Sequence, residues 1–333
     1  MMMRRAAMKL VGAVALLVGV GVSRNASATE VIKIGTLAPK ASPWGQVFSV
    51  WEKAVKEKSN GAIEVQFFYN GQQGDEGAMV GKMKAGQLDG AAVTAVGLGK
   101  IYKPISAIQM PGLFTTWAKL DAARDAMKGE FEQGVKDAGF TLAGWSDVGA
   151  VHVMSKGFEI HSPDDIKGKK PYMWRDDVVQ PILYQVIGGV TPVPLNVPEV
   201  LPNLNTGAIN IVNAPSLAAE QLQWSSKLDT ITEDVSAMAI GALVFSSKRI
   251  DALPPDLKAI VMDTGKIAAT ALTKRIRSED DAAFARMKGK MKVVVLTADE
   301  KAKWKAIFQQ TRQRLAQGTF SPDLVTKLER LAQ

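Results

Sequence analysis

Residues 30–69 read EVIKIGTLAPKASPWGQVFSVWEKAVKEKSNGAIEVQFFY and hold a complete strand–helix–strand unit. Glu30 to Gly35 is a short β-branched run closed by glycine, which reads as a strand. Ser42-Pro43 supplies a helix cap and then the residue best suited to the first helical position. Val47, Val50, Trp51 and Val55 recur at helical spacing until Asn60-Gly61 ends the segment, and Ile63 to Tyr69 returns to strand composition. Working outward, a helix follows over about 75–84 and a strand over 88–95 that ends in small residues. Further strands are read at 140–145, 150–154, 170–173, 191–195 and 210–213. Strands alternating with helices imply an α/β fold with mostly parallel sheets. About 300 residues of that pattern exceed one usual domain, so two lobes are expected.

One segment stands out by length. Leu257, Ile260, Val261, Ala268, Leu272, Ile276 and Phe284 recur at roughly helical spacing from Pro254 to Met287, with no interior proline after Pro255. That span is nearly three times the usual helix of about 11–12 residues. It reads either as one helix bracing two lobes or as two helices broken near Gly265.

The chain begins with a cationic stretch, Met1 to Lys9, and an apolar run from Leu10 to Val22 too short to span a bilayer as a mature helix. Asn25-Ala26-Ser27-Ala28 follows, and together these predict a secretory signal peptide over 1–28 and a periplasmic protein. Without cysteine there is neither a lipid-modified anchor nor a disulfide, and about 305 residues are left to bury a core. The whole chain carries +8; losing Arg4, Arg5, Lys9 and Arg24 with the leader leaves about +4, scattered without a basic block. That pattern argues against nucleic acid as a partner.

No reaction centre is visible. His152 and His161 are the two histidines, and neither stands in metal-ligand spacing. His152 reads as a packed or hydrogen-bonded residue of a strand, and His161 as exposed. No Gly-x-Ser-x-Gly elbow or Walker lysine motif occurs, and Gly97-Leu98-Gly99 lacks the third glycine of a dinucleotide fingerprint. Asp164-Asp165, Asp176-Asp177 and Asp280-Asp281 sit near helix ends, where they read as caps and solvated charges. The expectation is a binding protein with no catalytic residues, metal or cofactor.

Several short motifs carry a resemblance in their order and spacing. They are Gly35-Thr36-Leu37-Ala38-Pro39 with Ser42-Pro43-Trp44, Gly71-Gln72-Gln73-Gly74-Asp75-Glu76, Gly86-Gln87-Leu88-Asp89 and Met110-Pro111-Gly112-Leu113-Phe114. Later come Asp165-Ile166-Lys167-Gly168-Lys169-Lys170, Gly189 to Leu195, Glu199, and Leu204-Asn205-Thr206-Gly207. Along nearly the whole mature chain the sequence resembles the periplasmic solute receptors of TRAP (tripartite ATP-independent periplasmic) transporters, the DctP-like type. The resemblance implies a two-lobe periplasmic-binding-protein-like fold, a long helix crossing both lobes and a cleft that closes on a small-molecule ligand. It implies as partners a small and a large integral membrane subunit. The expected division is 29–151 plus about 239–278 for lobe I, and 152–238 plus about 279–333 for lobe II.

Ligands of such folds bind outside the strand C-termini. Residues just after the strands therefore give the candidate site: Trp44, Gln72, Ala95, Val151, Tyr172, Trp174, Asn213 and Ser216. The departure from the family lies in the ligand anchor. Acid-binding members usually place an arginine where this chain has Tyr172, and a second near Val151. The usual Asp-Gly-Gln-Glu-Asn is replaced by Asn210-Ile211-Val212-Asn213-Ala214. Two readings follow. In one, the ligand is neutral or apolar and Trp44, Tyr172, Trp174 and Trp224 line an aromatic pocket. In the other, Arg175 reaches back to hold an organic acid. Three residues along a strand flip the face and shift a group by roughly 10 Å, which favours the first. Trp51, Trp117 and Trp304, on helical faces, are expected in core packing, and Pro202 is expected to kink or shorten the helix that begins near Pro198.

Overall fold

The computed structural model describes residues 29–333; the leader read over 1–28 lies outside the described residues. The chain opens as strand β1 (Glu30–Thr36), helix α1 (Pro43–Lys58), β2 (Ile63–Phe68), α2 (Glu76–Lys84) and β3 (Gly90–Thr94). Next come α3 (Ala95–Ile101), α4 (Trp117–Asp137), β4 (Phe140–Ser155), β5 (Tyr172–Trp174), α5 (Gln180–Ile187) and β6 (Val193–Leu195). The remainder is α6 (Val197–Thr206), β7 (Ile211–Pro215), α7 (Ser216–Gln221), β8 (Thr230–Thr232), β9 (Ala237–Ser246) and α8 (Ser247–Asp251). It closes with α9 (Pro255–Lys288), β10 (Lys292–Val294), α10 (Ala298–Leu315) and α11 (Pro322–Leu331). As read from the sequence, Ser42 caps α1, its side chain accepting from Gly45 N, and Pro43 is the first helical residue.

The strands run in the order β10-β8-β4-β9-β3-β1-β2, with β7 also on β4. β1 pairs in parallel with β2 and β3, and β8 with β10. β9, however, inserts antiparallel between β3 and β4, and β4 runs antiparallel to β7 and β8. The expectation of mostly parallel sheets is therefore corrected. Its reason is that β3 and β9 lie about 150 residues apart in the chain, where local alternation carries no information on direction.

Two strands read separately, 140–145 and 150–154, are one 16-residue strand. β4 pairs with β9 from Phe140 to Val151, with bulges between Leu142 and Gly144 and between Asp147 and Gly149. Its far end pairs with β7 and β8. One strand thus serves both halves of the molecule. On one side Ile32, Ile34, Trp51, Phe67 and Phe245 pack under α1 and α9, and on the other Met79, Leu98 and Phe131 pack under α2 to α4. The second half has its own clusters, around Met154, Tyr172, Val200 and Trp224, and around Ile160, Tyr184 and Trp304.

The long segment is a single helix: α9 runs 34 residues without a break at Gly265, about 51 Å at ~1.5 Å per residue. Gly265 fits because α9 lies directly on β4. A Cβ there would stand 3.3 Å from Ala143 Cβ, and one on Gly144 would stand 2.5 Å from Ala269 Cβ. Further along, α9 is pinned where the two halves meet. Buried Asp280 accepts Ala150 N at 2.7 Å and Leu217 N at 2.8 Å. Burial outweighs those bonds and pushes its carboxyl up to about 6. Arg277, one turn earlier, bonds Asp121 of α4 at 2.6 Å and fully buried Asp147 of β4 at 2.7 Å, while Arg124 holds the other Asp147 oxygen at 2.7 Å.

The tail departs from the expected division. Phe320, Leu324, Val325 and Leu328 join the core of Leu120 and Phe131 of α4, so α11 returns to the first half. An apolar stripe marks a helix as packed without saying on what. Pro202 does not end α6, since helix continues to Thr206. The amide it lacks would have bonded the carbonyl of Pro198, still in the first turn, where the helix is held by a capping box between Asn196 and Glu199.

Candidate functional site

Between the halves lies a cavity of about 500 Å³. Its walls come from the ends of β1 and β3, the start of α1, the middle of β4 and, opposite, from β5, α5, β7 and α10. Trp44, Ala95, Val151, Tyr172, Trp174 and Asn213 all line it, which brings together six of the eight residues singled out from the sequence. Gln72 and Ser216 do not. Gln72 is exposed on the turn after β2, and Ser216 is wholly buried at the start of α7, beside Asp280. In both cases the residue follows a strand but its side chain leaves the cleft, a direction that chain position alone does not supply.

The wall is aromatic. Trp174, Tyr172 and Trp224 come from the second half, with the Tyr172 and Trp224 rings edge-on at 5.8 Å, and Trp44 faces them from the first. Trp51 and Trp304, expected in core packing, are buried as expected yet also reach the cavity. Trp117 is partly buried outside it, with Arg277 over its ring at 4.4 Å. His152 is packed as read, its ring stacked on Phe284 at 4.2 Å and its Nδ1 2.9 Å from Thr232 O.

Among the described residues no arginine lines the cavity. Arg175 is exposed, bonding Glu199 at 3.1 Å and the Pro194 carbonyl at 3.3 Å. The lysines at the wall are Lys100, paired with Asp176 at 2.6 Å, and exposed Lys103. Carboxylates are more numerous. Glu76 is buried, its oxygens taking Thr94 N at 2.8 Å, Thr94 Oγ1 at 2.8 Å and Gly97 N at 2.7 Å. Burial nevertheless pushes its carboxyl up to about 8. Asp177 stands just before α5, accepting Val179 N at 2.6 Å and Gln180 N at 3.1 Å, and burial raises its pKa as well. Sequence reading saw Asp177 as a cap or solvated charge near a helix end; it binds two amides at the start of α5 without being its N-cap, and its place in the cavity wall needed the fold.

The two halves are tied across the cleft. Asp75, the N-cap of α2, accepts Trp174 Nε1 and Val197 N, each at 3.0 Å, with one oxygen. Lys100 of α3 meets Asp176 just beyond β5. These contacts hold the aromatic wall shut over the cavity. Among the described residues no group of three or more His, Cys, Asp or Glu could hold a metal ion, and no helix is long and apolar enough to cross a membrane.

Comparison with known proteins agrees with this architecture. Residues 34–318 match the model of the DctP family, bacterial extracellular solute-binding protein, family 7. The chain is 23% identical over 328 residues to the C4-dicarboxylate-binding periplasmic protein DctP of Rhodobacter capsulatus, covering 95% of each. A solute-binding protein of Chromohalobacter salexigens is 24% identical over 196 residues, covering 59% of this chain and 57% of that protein's length. Among solved structures, a TRAP periplasmic solute binding protein from Sulfurospirillum deleyianum with bound succinate superposes with a TM-score of 0.84 at 22% identity, covering 91% of this chain and 99% of that one. The sugar acid binding protein DctPAm from Advenella mimigardefordensis in complex with galactonate gives 0.85 at 18% identity, covering 91% and 98%. At such identities these structures establish the two-lobe fold alone.

Proposed function

The chain belongs to the DctP family of bacterial extracellular solute-binding proteins, which are binding proteins and not enzymes, and from that premise we propose that it is a periplasmic receptor delivering a small solute to a TRAP-type importer. Its partners are then the small and large integral membrane subunits of that importer. The expected leader over 1–28 fits export to the periplasm. Closure of two lobes about a ligand creates the surface a membrane partner can recognise.

The ligand, in this reading, has a neutral or apolar body and is not a simple carboxylate. The observation that carries it is the cavity wall: tryptophans and a tyrosine, without a single arginine among the described residues. Val151, Tyr172 and Asn213 stand at the positions where acid-binding relatives are expected to place charge, and all three line the cavity. The relatives above with named ligands bind acids, succinate and galactonate among them, and this reading holds that their anchor is replaced here. A second reading, an organic acid held by Arg175, requires that guanidinium to leave Glu199 and Pro194 and enter a cavity it does not line.

Native mass spectrometry of the purified mature protein, with identification of the co-purifying molecule, tests the proposal. A bound molecule with an apolar body supports it. A bound small carboxylate, released by Arg175→Ala, replaces it with the second reading.

A further inference from the structure

We propose that the polar end of the cavity takes a protonated organic amine, held by the uncommitted oxygen of Asp177 beside the aromatic wall. The inference rests on the reading that the cavity receives an apolar body in place of a simple carboxylate, and it adds the chemistry of that body's polar end.

Asp177 Oδ1 is occupied by the amides of Val179 and Gln180. Oδ2 accepts no hydrogen bond and enters no ion pair among the described residues, yet it is not one of the side-chain oxygens sealed from open space, and the residue lines the cavity. The nearby lysines do not serve it: Lys100 is bound to Asp176 and Lys103 is exposed. A carboxylate taken out of water without a cation carries an uncompensated desolvation cost. An ammonium group entering the cavity offsets that cost; a carboxylate ligand adds to it.

A second observation gives the surroundings the same sign. Tyr184 spends its one proton on the Tyr172 carbonyl at 3.2 Å, so toward Asn213 Nδ2, 3.1 Å away, it can only accept. This fixes the Asn213 amide, and its Oδ1 is left buried without a donor. The hydroxyl of Tyr172, on a side chain 3% exposed, also has no partner among the described residues. Burial raises the pKa of both tyrosine hydroxyls, and negative charge adds to it, from Asp75 and then Asp177 at Tyr172 and from Asp177 at Tyr184. Asn213 Oδ1 lies beneath the wall and contributes potential rather than contact. Tyr172 and Trp174 line the same cavity, and aromatic rings favour a desolvated ammonium beside them.

The test uses matched skeletons: 2-phenylethylamine, 2-phenylethanol and 3-phenylpropionate, with cyclohexylmethylamine, cyclohexanemethanol and cyclohexanecarboxylate. Each is titrated into the purified mature protein, followed by melting temperature and calorimetry. The amine is expected to bind at least about tenfold more tightly than its alcohol, the scale of one hydrogen bond to a charged group. Asp177→Asn keeps an oxygen for the two amides at the start of α5 and should bring amine and alcohol within about twofold. The ranking in the unaltered protein stands without the variant. An alcohol equal to or above its amine, or no response to either amine, overturns the inference and leaves the apolar-body reading intact. A carboxylate ahead of both overturns the inference and that reading together.

Discussion

Asp75→Ser separates closing of the cleft from stability of the fold. Asp75 does two jobs: one oxygen caps α2 within its own half, accepting Glu76 N at 2.8 Å, and the other takes Trp174 Nε1 and Val197 N from the opposite half. Serine is an N-cap of similar quality, so α2 should keep its start. It is too short to reach across. A hydrogen bond to a charged acceptor contributes about 1.5–3 kcal/mol net. Burial raises the Asp75 carboxyl against the pull of its hydrogen bonds, so the lower end applies. Two such bonds give about 3 kcal/mol, which favours the open form by roughly 100-fold. If only the closed form holds ligand, affinity falls by the same factor once the closed form ceases to dominate. Calorimetry with the co-purifying ligand reads the affinity, and small-angle scattering of the ligand-free protein reads the opening. A variant with wild-type melting temperature and an affinity within threefold would refute the reasoning, because the cross-cleft bonds would then contribute nothing to closure.

Asp147→Ala should cost about 1.5–3 kcal/mol of stability in denaturant titration, since it removes the fully buried partner of Arg124 and Arg277 and leaves both to Asp121; a loss under 1 kcal/mol would mean that Asp121 suffices for both arginines. Glu76, raised by burial to about 8, contributes stability that is full below about pH 4.5 and is lost as pH rises through 8. Glu76→Gln should therefore remove a downward slope of stability between those limits, and identical slopes in both proteins would contradict the assignment. His152, whose pKa burial lowers, acts in the opposite sense below its ordinary value and is common to both. Arg175→Ala should leave ligand affinity within about twofold, as an exposed ion pair contributes ~0–1 kcal/mol and lies off the cavity. Trp174→Ala should weaken binding by roughly 1–3 kcal/mol, the scale of one large apolar side chain.

Much of the architecture was legible because it is written in local chemistry. The cap and proline at Ser42-Pro43 and the unbroken apolar spacing through α9 each point to their element without reference to the rest of the chain. The choice between one helix and two at Gly265 was not legible, since it turns on Ala143 packing against that glycine from another element. Trp44, Tyr172 and Trp174 could be placed because strand ends converge on a cleft in such folds. Asp75 looked like any helix cap; its bonds to Trp174 and Val197 join residues about 100 and 122 positions away, a distance over which spacing says nothing. Gln72 and Ser216 failed for a simpler reason, since position after a strand fixes the backbone's place but not the side chain's heading.

The insertion of β9 between β3 and β4 also governs the order in which the molecule can assemble. Strands β1 to β3 form one edge and β4 the next, yet only residues 237–246 join them. In synthesis from the N-terminus, the first half cannot complete its sheet until more than two thirds of the chain has emerged. Closing contacts over so long an intervening loop is slow. A product truncated before Ala237 therefore lacks the strand that joins β3 to β4.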